Sequence, residues 1–168
     1  EGHSYAALKD YADFLRREAK SDLERASRHF AGRLGLAIKQ VSIRDPSSRW
    51  GSCSTTGVLS YSWRLILAPS FVLDYLAAHE VAHLVEMNHS IRFWRLVEEL
   101  ADDMDAARRW LAREGETLQR YGAAVKAANA SGNQQDDSAG GKNKRARAGK
   151  GLAARLAEFF GGPRRGGA

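Results

Sequence analysis

Three of the five histidines in this chain lie in one eleven-residue window, from His79 to His89, with a glutamate directly after the first. His79 and His83 are four residues apart, so on a helix both side chains point to the same face and can bind one metal ion. Glu80 lies next to His79, where a carboxylate can act as general base toward a metal-activated water. The types and spacing of these residues therefore predict a hydrolytic metal centre.

The segment that carries these residues, from Ser70 to Val85, has the pattern of a buried helix. Ser70 is the expected N-cap, with Asp74 in the first turn. Apolar residues recur through the segment at helical spacing: Phe71, Tyr75, Ala78, Ala82 and Val85. Buried histidines and a buried carboxylate are costly without partners, and a bound metal removes that cost. Two core histidines bonded to backbone carbonyls are the less favoured alternative.

The third ligand of such a centre has several candidates, because a catalytic zinc commonly takes three protein ligands and keeps one position open. Glu86 would lie on one line with the first two histidines along the helix, so the three could not surround a tetrahedral ion. His89 is favoured by ligand type and spacing. Glu98 or Glu99 from the next segment is the alternative. The expected cofactor is one Zn²⁺ ion.

If His89 is the third ligand, the backbone must change direction between His83 and His89. His89 follows His83 by six residues, and on an unbroken helix it would point well away from the metal. The helix must therefore end between the two histidines, and Asn88 tolerates the left-handed conformation that closes helices. Ser90 is placed to cap a new helix over residues 91–100.

The surrounding sequence predicts further helices and a small sheet. Helical periodicity is separated by shorter alternating runs, which indicate strands. Gly35 and Gly115 are expected to end helices. If the segment 58–63 were an exposed edge strand, an extended substrate could pair with it. The first predicted helix covers residues 4–34, with a second start at Ser21, and the last one ends at Glu114, with Asp102 or Asp103 as its cap. The predicted strands cover residues 38–44, 49–53 and 58–67, the last two forming a hairpin.

Charge and composition divide the chain into two parts. Residues 1–125 carry 17 basic and 17 acidic side chains, whereas residues 126–168 carry nine basic and three acidic ones, a net charge of +6. From about Gly122 large apolar residues become rare, so the segment cannot bury enough surface to offset its chain entropy. We therefore expect a domain over residues 1–121 and a largely disordered basic tail over residues 122–168. The tail could contact nucleic acid weakly, although a solvated extension is favoured.

Cysteine usage and hydropathy bear on the compartment. The one cysteine, Cys53, excludes an internal disulfide and suits a reducing cytoplasm, and the start of the chain has no signal-peptide pattern. No apolar run approaches the length of a transmembrane segment. A cytoplasmic location is therefore expected.

Four stretches of the chain together resemble the YgjP-like metallopeptidase family, which is related to the SprT-type and WSS-type zinc proteases. They are Ser48-Arg49-Trp50-Gly51-Ser52-Cys53, Trp63-Arg64-Leu65-Ile66-Leu67-Ala68-Pro69, His79-Glu80-Val81-Ala82-His83-Leu84, and Asn88-His89-Ser90 followed by Phe93-Trp94. The resemblance covers about residues 5–121. It implies an α+β, zincin-like fold with a small antiparallel sheet beside the active-site helix. It also implies zinc ligands at His79, His83 and His89, and a catalytic carboxylate at Glu80.

The segment 49–53 has an unusual composition. Trp50 and Cys53 are expected in the core, and Gly51 could allow a close backbone approach. Arg49 is a candidate to contact substrate or stabilise an oxyanion, although a structural role is favoured. Cys53 as a metal ligand lacks support from its spacing.

The leading hypothesis is a zinc-dependent metallopeptidase that hydrolyses peptides or proteins with Glu80 as general base. One alternative is a zinc-dependent hydrolase of a non-peptide substrate such as a nucleotide. Another is a metal-stabilised domain that binds nucleic acid or a partner protein.

Overall fold

Residues 5–121 are described by the computed structural model, and they form four α-helices and a three-stranded sheet. The predicted α+β class is confirmed. The tail predicted over residues 122–168 lies outside the described residues. In chain order the elements are α1 (Tyr5–Arg33), β1 (Gln40–Arg44), β2 (Gly51–Cys53), β3 (Val58–Ser62), a 3₁₀ helix (Trp63–Leu67), α2 (Ser70–Ala82), α3 (Ile91–Leu100) and α4 (Met104–Arg120).

The sheet has the strand order β1-β3-β2. The predicted hairpin is confirmed, since β2 pairs antiparallel with β3 and Ser52 lies opposite Ser60. β1 pairs parallel with β3, with Val41 opposite Leu59, so the sheet is mixed and not wholly antiparallel. β3 lies between the other two strands. It is therefore not the exposed edge considered above, and the edge next to α2 is β2.

The strand predicted up to residue 67 ends at Ser62, and a 3₁₀ helix follows. The Ser62 hydroxyl accepts a hydrogen bond from the backbone N–H of Arg64 and so caps this helix. Arg64 is almost fully buried, forms an ion pair with Asp45, and donates to the backbone carbonyl of Tyr121 at 2.8 Å. This side chain therefore ties the end of α4 to the sheet.

Some helix ends lie where the sequence predicted them, and others do not. α1 continues through Ser21 as one helix and ends before Gly35, whose φ of 68° permits the expected stop. Asp103 caps α4 by accepting from the N–H of Ala106. Gly115 does not end α4, so that prediction was wrong. The helix passes through it because its Cα lies against Trp50, where an added Cβ would be 3.4 Å from the indole ring.

α2 lies at the centre of the domain and contacts α1, α3, α4 and β2. Ten of its thirteen residues are buried, which confirms the predicted buried helix. Ser70 is its first residue and not its N-cap. Pro69 holds the cap position, because its carbonyl accepts from the backbone N–H groups of Val72 and Leu73.

Among the described residues, no helix is both long and apolar enough to span a bilayer. The cytoplasmic location stays a prediction.

Candidate metal centre

The backbone of α2 stops where the histidines require a change of direction. The helix ends at Ala82 and His83 is its C-cap, so the break comes before Asn88. Leu84, Val85 and Glu86 then turn the chain through N–H bonds to the carbonyls of Val81 and Ala82. The predicted break between His83 and His89 is confirmed, at an earlier position than expected.

Ser90 restarts helical structure directly after His89. Its hydroxyl accepts a hydrogen bond from the N–H of Phe93 at 3.2 Å, as an N-cap should. The predicted cap is therefore confirmed. His89 lies between the turn at residues 84–86 and the N-cap at Ser90, so hydrogen bonds fix the backbone on both sides of it.

The three histidines converge on one point. His89 Nε2 lies 3.2 Å from His79 Nε2, and His79, His83 and His89 each offer a ligand atom within 4.8 Å of the others. Two nitrogens bound at about 2.0–2.1 Å to a tetrahedral zinc would be separated by about 3.3 Å. The donor set and its spacing therefore fit one metal ion with an open position.

His83 is oriented by the turn that follows it. Its Nδ1–H donates to the backbone carbonyl of Glu86 at 3.0 Å. This bond fixes the tautomer that leaves Nε2 available as a ligand. Glu86 thus acts on the site through its backbone, and its carboxylate is not part of the histidine cluster.

Two aromatic residues of α3 pack against the histidine cluster. The Phe93 ring stacks on His83, with centroids 4.4 Å apart, and the Trp94 ring stacks on His89, with centroids 5.6 Å apart. Sequence reasoning placed both residues in the helix over residues 91–100 and missed this contact with the histidines. Their position shortly after His89 was the available signal.

The electrostatic setting keeps the histidines neutral. Burial lowers the pKa of His79, His83 and His89, and neighbouring histidines lower it further for His79 and His89. Backbone bonds to Glu86 and Met87 oppose the shift at His83. Neutral imidazole is the form that binds a metal, so the site favours ligation over protonation.

Glu80 lies inside α2 and is only 1% exposed. Burial raises the pKa of its carboxyl to about 8, although the charge of Arg49 partly opposes the shift. It lines a cleft of about 250 Å³ together with His79, His83 and His89. The other side of the cleft is formed by β2, from Gly51 to Cys53.

Gly51 makes room for the Glu80 side chain. A Cβ built on Gly51 would lie 2.6 Å from Glu80 Oε1, which is closer than real Cβ atoms approach other atoms. Sequence reasoning expected a close backbone approach at Gly51. The approaching group is a side chain, the carboxylate next to the histidine cluster.

The remaining candidates lie apart from the cluster. Glu98 and Glu99 are exposed on α3, and neither belongs to the group of metal-ligand atoms found among residues 5–121. Cys53 lines the cleft but is also outside that group, and burial followed by the Glu80 charge raises its pKa to about 11. Arg49 is exposed and lines a neighbouring cavity of about 330 Å³.

The sequence model of the YgjP-like metallopeptidase domain matches residues 2–114. The chain belongs to the YgjP-like metallopeptidase family. The match includes β2, the histidine cluster and Glu80, and membership implies a metal ion, which the cluster could hold. The kinship with SprT-type and WSS-type proteases stays a prediction.

The metallopeptidase zymogen abylysin from Pyrococcus abyssi is similar, with 25% identity, coverage of 54% of this chain and 93% of that chain, and a TM-score of 0.46. No curated protein matches the chain. The family assignment therefore rests on the family model.

Proposed function

We propose that this chain is a zinc-dependent peptidase in which His79, His83 and His89 hold one ion and Glu80 is the general base. One observation carries the proposal: three neutral imidazoles and a buried carboxylate share one small cleft. The metallopeptidase family supports a peptide or protein as substrate. It gives no support to nucleic-acid contact by the tail.

The chemistry follows from the two kinds of group in the cleft. When bound, zinc would supply the Lewis acidity that lowers the pKa of a water to about 7 and polarises the scissile carbonyl. Glu80 accepts a proton from the attacking water and passes it to the leaving amine. Burial favours the protonated carboxyl, and a nearby divalent cation favours the ionised form that a base requires.

An edge strand beside the cleft offers a way to hold the substrate. β2 pairs only with β3 among the described residues, so its other edge has no strand partner there. Gly51, Ser52 and Cys53 also line the metal cleft. An extended peptide paired with β2 would therefore run past Glu80 and the histidines.

Arg49 stays a candidate for substrate or oxyanion contact. Its charge lowers the pKa of Glu80, so the two side chains interact electrostatically. Its side chain lines the neighbouring cavity, whereas the residues that line the metal cleft do not include it. A loss of kcat in Arg49→Gln at unchanged KM would support oxyanion contact, and an increase in KM alone would favour substrate binding.

The test of the proposed function compares wild type with Glu80→Gln on a peptide library. Removal of the base should reduce kcat by at least about 100-fold, since general-base catalysis commonly contributes that much. Zinc affinity should be retained, because Glu80 is not among the ligands. Glu98→Gln makes the same chemical change on an exposed position of α3 and should keep full activity. Retained turnover in Glu80→Gln, or no peptide cleavage by zinc-loaded wild type, would contradict the proposal.

A further inference from the structure

A cavity of about 330 Å³ adjoins the metal cleft and shares Gly51 and Ser52 with it. Leu59 and Tyr61 of β3 turn to the core, with 0% and 1% exposure. Gly51 pairs with Tyr61, so it faces the same side, where Glu80 lies. The metal cleft therefore belongs to the core face of β2.

The neighbouring cavity is lined by Trp50, Gly51 and Tyr61 and also by polar side chains of the opposite face. Ser52 is paired with Ser60, and Arg44 is paired with Ser62, so these four side chains share the face that turns away from Leu59 and Tyr61. All four line the cavity. Their donors are hydroxyl groups and a guanidinium.

Two guanidinium groups give this cavity its charge. Arg44 and Arg49 both line it, and both are exposed. None of the ion pairs found within residues 5–121 uses either arginine, and Asp45, the nearest acidic residue in sequence, pairs with Arg16 and Arg64. Arginine forms its strongest hydrogen bonds with carboxylates and phosphates. The cavity is therefore suited to an anionic group.

A strand paired with β2 would present side chains to both faces in turn. A residue directed to the core face would lie near Glu80 and the histidines, and its neighbours in sequence would be directed to the face of Ser52. From Ser52 the cavity extends past Ser60 and Ser62 of β3 to Arg44 of β1, and Arg49 lies two residues before β2. We propose that the Arg44–Arg49 cavity binds a carboxylate of the peptide substrate, next to the residue that faces Glu80. The carboxylate is an acidic side chain or the C-terminus. This inference rests on the proposed peptidase function.

The test measures binding separately from turnover. Zinc-loaded Glu80→Gln protein is titrated with fluorescent peptide pools that differ only in Glu or Gln at one fixed position, and with pools ending in a free carboxylate or an amide. Either the Glu pool should bind about 10-fold more tightly than the Gln pool, or the pool with a free C-terminal carboxylate should bind about 10-fold more tightly than the amide pool. A difference of this size is expected for a charge-assisted bond. The pair that shows the difference identifies the source of the carboxylate.

Arginine variants made on the Glu80→Gln background locate the effect. Adding Arg44→Gln should abolish the preference, and adding Arg44→Glu should reverse it toward pools that carry Lys at the fixed position. Arg17→Gln removes an exposed arginine of α1 that does not line the cavity, and it should leave the preference intact. Thermal unfolding of each variant verifies that it is folded.

Several results would overturn the inference. They are equal binding of acidic and neutral pools, a preference that survives Arg44→Gln, no binding of any pool, or tighter binding of phosphoserine pools than of Glu pools. The last result would make the cavity a phosphate site. Failure of the proposed function is a separate outcome, because it is measured as absent peptide cleavage by wild type.

Discussion

The Cα of Gly51 and the carboxylate of Glu80 approach each other so closely that a single added carbon would not fit. A Cβ on Gly51 would lie 2.6 Å from Glu80 Oε1, 2.8 Å from its Cγ and 2.9 Å from its Cδ. Glu80 is 1% exposed and lines the metal cleft, so an added Cβ would displace its carboxylate within the cleft. The missing side chain of Gly51 therefore sets the position of the proposed base.

Gly51→Ala should displace Glu80 and lower activity. Overpacking of this kind costs about 1–3 kcal/mol of folding free energy, and a shifted base should lower kcat more than it raises KM. Zinc affinity should change little, because the three atoms nearest to an added Cβ on Gly51 all belong to Glu80. Kinetics, zinc titration and thermal unfolding measure the three effects.

A double-mutant cycle with Glu80→Ala tests the cause of that loss. Alanine lacks the Cγ, Cδ and Oε1 atoms that an added Cβ on Gly51 would meet, so Gly51→Ala should destabilise the Glu80→Ala protein much less than wild type. Gly32→Ala is the matched control, since an added Cβ there meets nothing within 4 Å. Equal destabilisation in both backgrounds would show that the Gly51 effect does not pass through Glu80.

Ser90→Ala should weaken metal binding through the position of His89. Loss of the N-cap costs about 1 kcal/mol of folding free energy and releases the chain that holds His89. Asp103→Ala removes a comparable cap from α4 and should lower the melting temperature similarly without a change in zinc affinity. Equal zinc affinities for wild type and Ser90→Ala would contradict this role.

The burial of Glu80 gives the metal-free protein a pH-dependent stability. The ordinary pKa of 4.5 rises to about 8 in the folded state, so the folded protein keeps a proton that the unfolded chain releases. Stability from this group is therefore fully present below about pH 4.5 and is lost as the pH rises to about 8. The loss should reach a few kcal/mol at most, on the basis of about 1.4 kcal/mol per pKa unit.

Denaturant unfolding with a chelator at about pH 5 and about pH 8 measures this loss. Glu80→Gln cannot titrate at residue 80, so its free energy of unfolding should fall less than that of wild type over the same interval. Parallel pH curves for the two proteins would show that Glu80 has no raised pKa in the metal-free fold.

The sequence was sufficient for the features that depend on local spacing. The four-residue interval from His79 to His83 and the six-residue interval to His89 predict a shared face and a helix break, and both are present. Ser90 was recognised as a cap because capping depends on neighbouring residues, and for α4 the prediction offered Asp102 or Asp103, of which Asp103 is the cap.

Features that depend on contacts between residues far apart in the sequence could not be predicted from local patterns. The central position of β3 is set by pairing with β1, which lies earlier in the chain. Gly115 has the composition of a helix stop, yet it continues α4 because Trp50 packs against it. The partner of Gly51 is also distant in sequence, so local pattern could indicate a close approach but could not identify Glu80.

Zinc titration of wild type and His89→Ala tests the central claim most directly. Wild type should bind one ion per chain. Loss of a group that merely orients a ligand costs about 10–100-fold in metal affinity, so loss of the His89 imidazole should cost more. The double variant Glu98→Ala/Glu99→Ala should bind zinc as wild type does. Unchanged stoichiometry and affinity in His89→Ala would contradict the three-histidine centre.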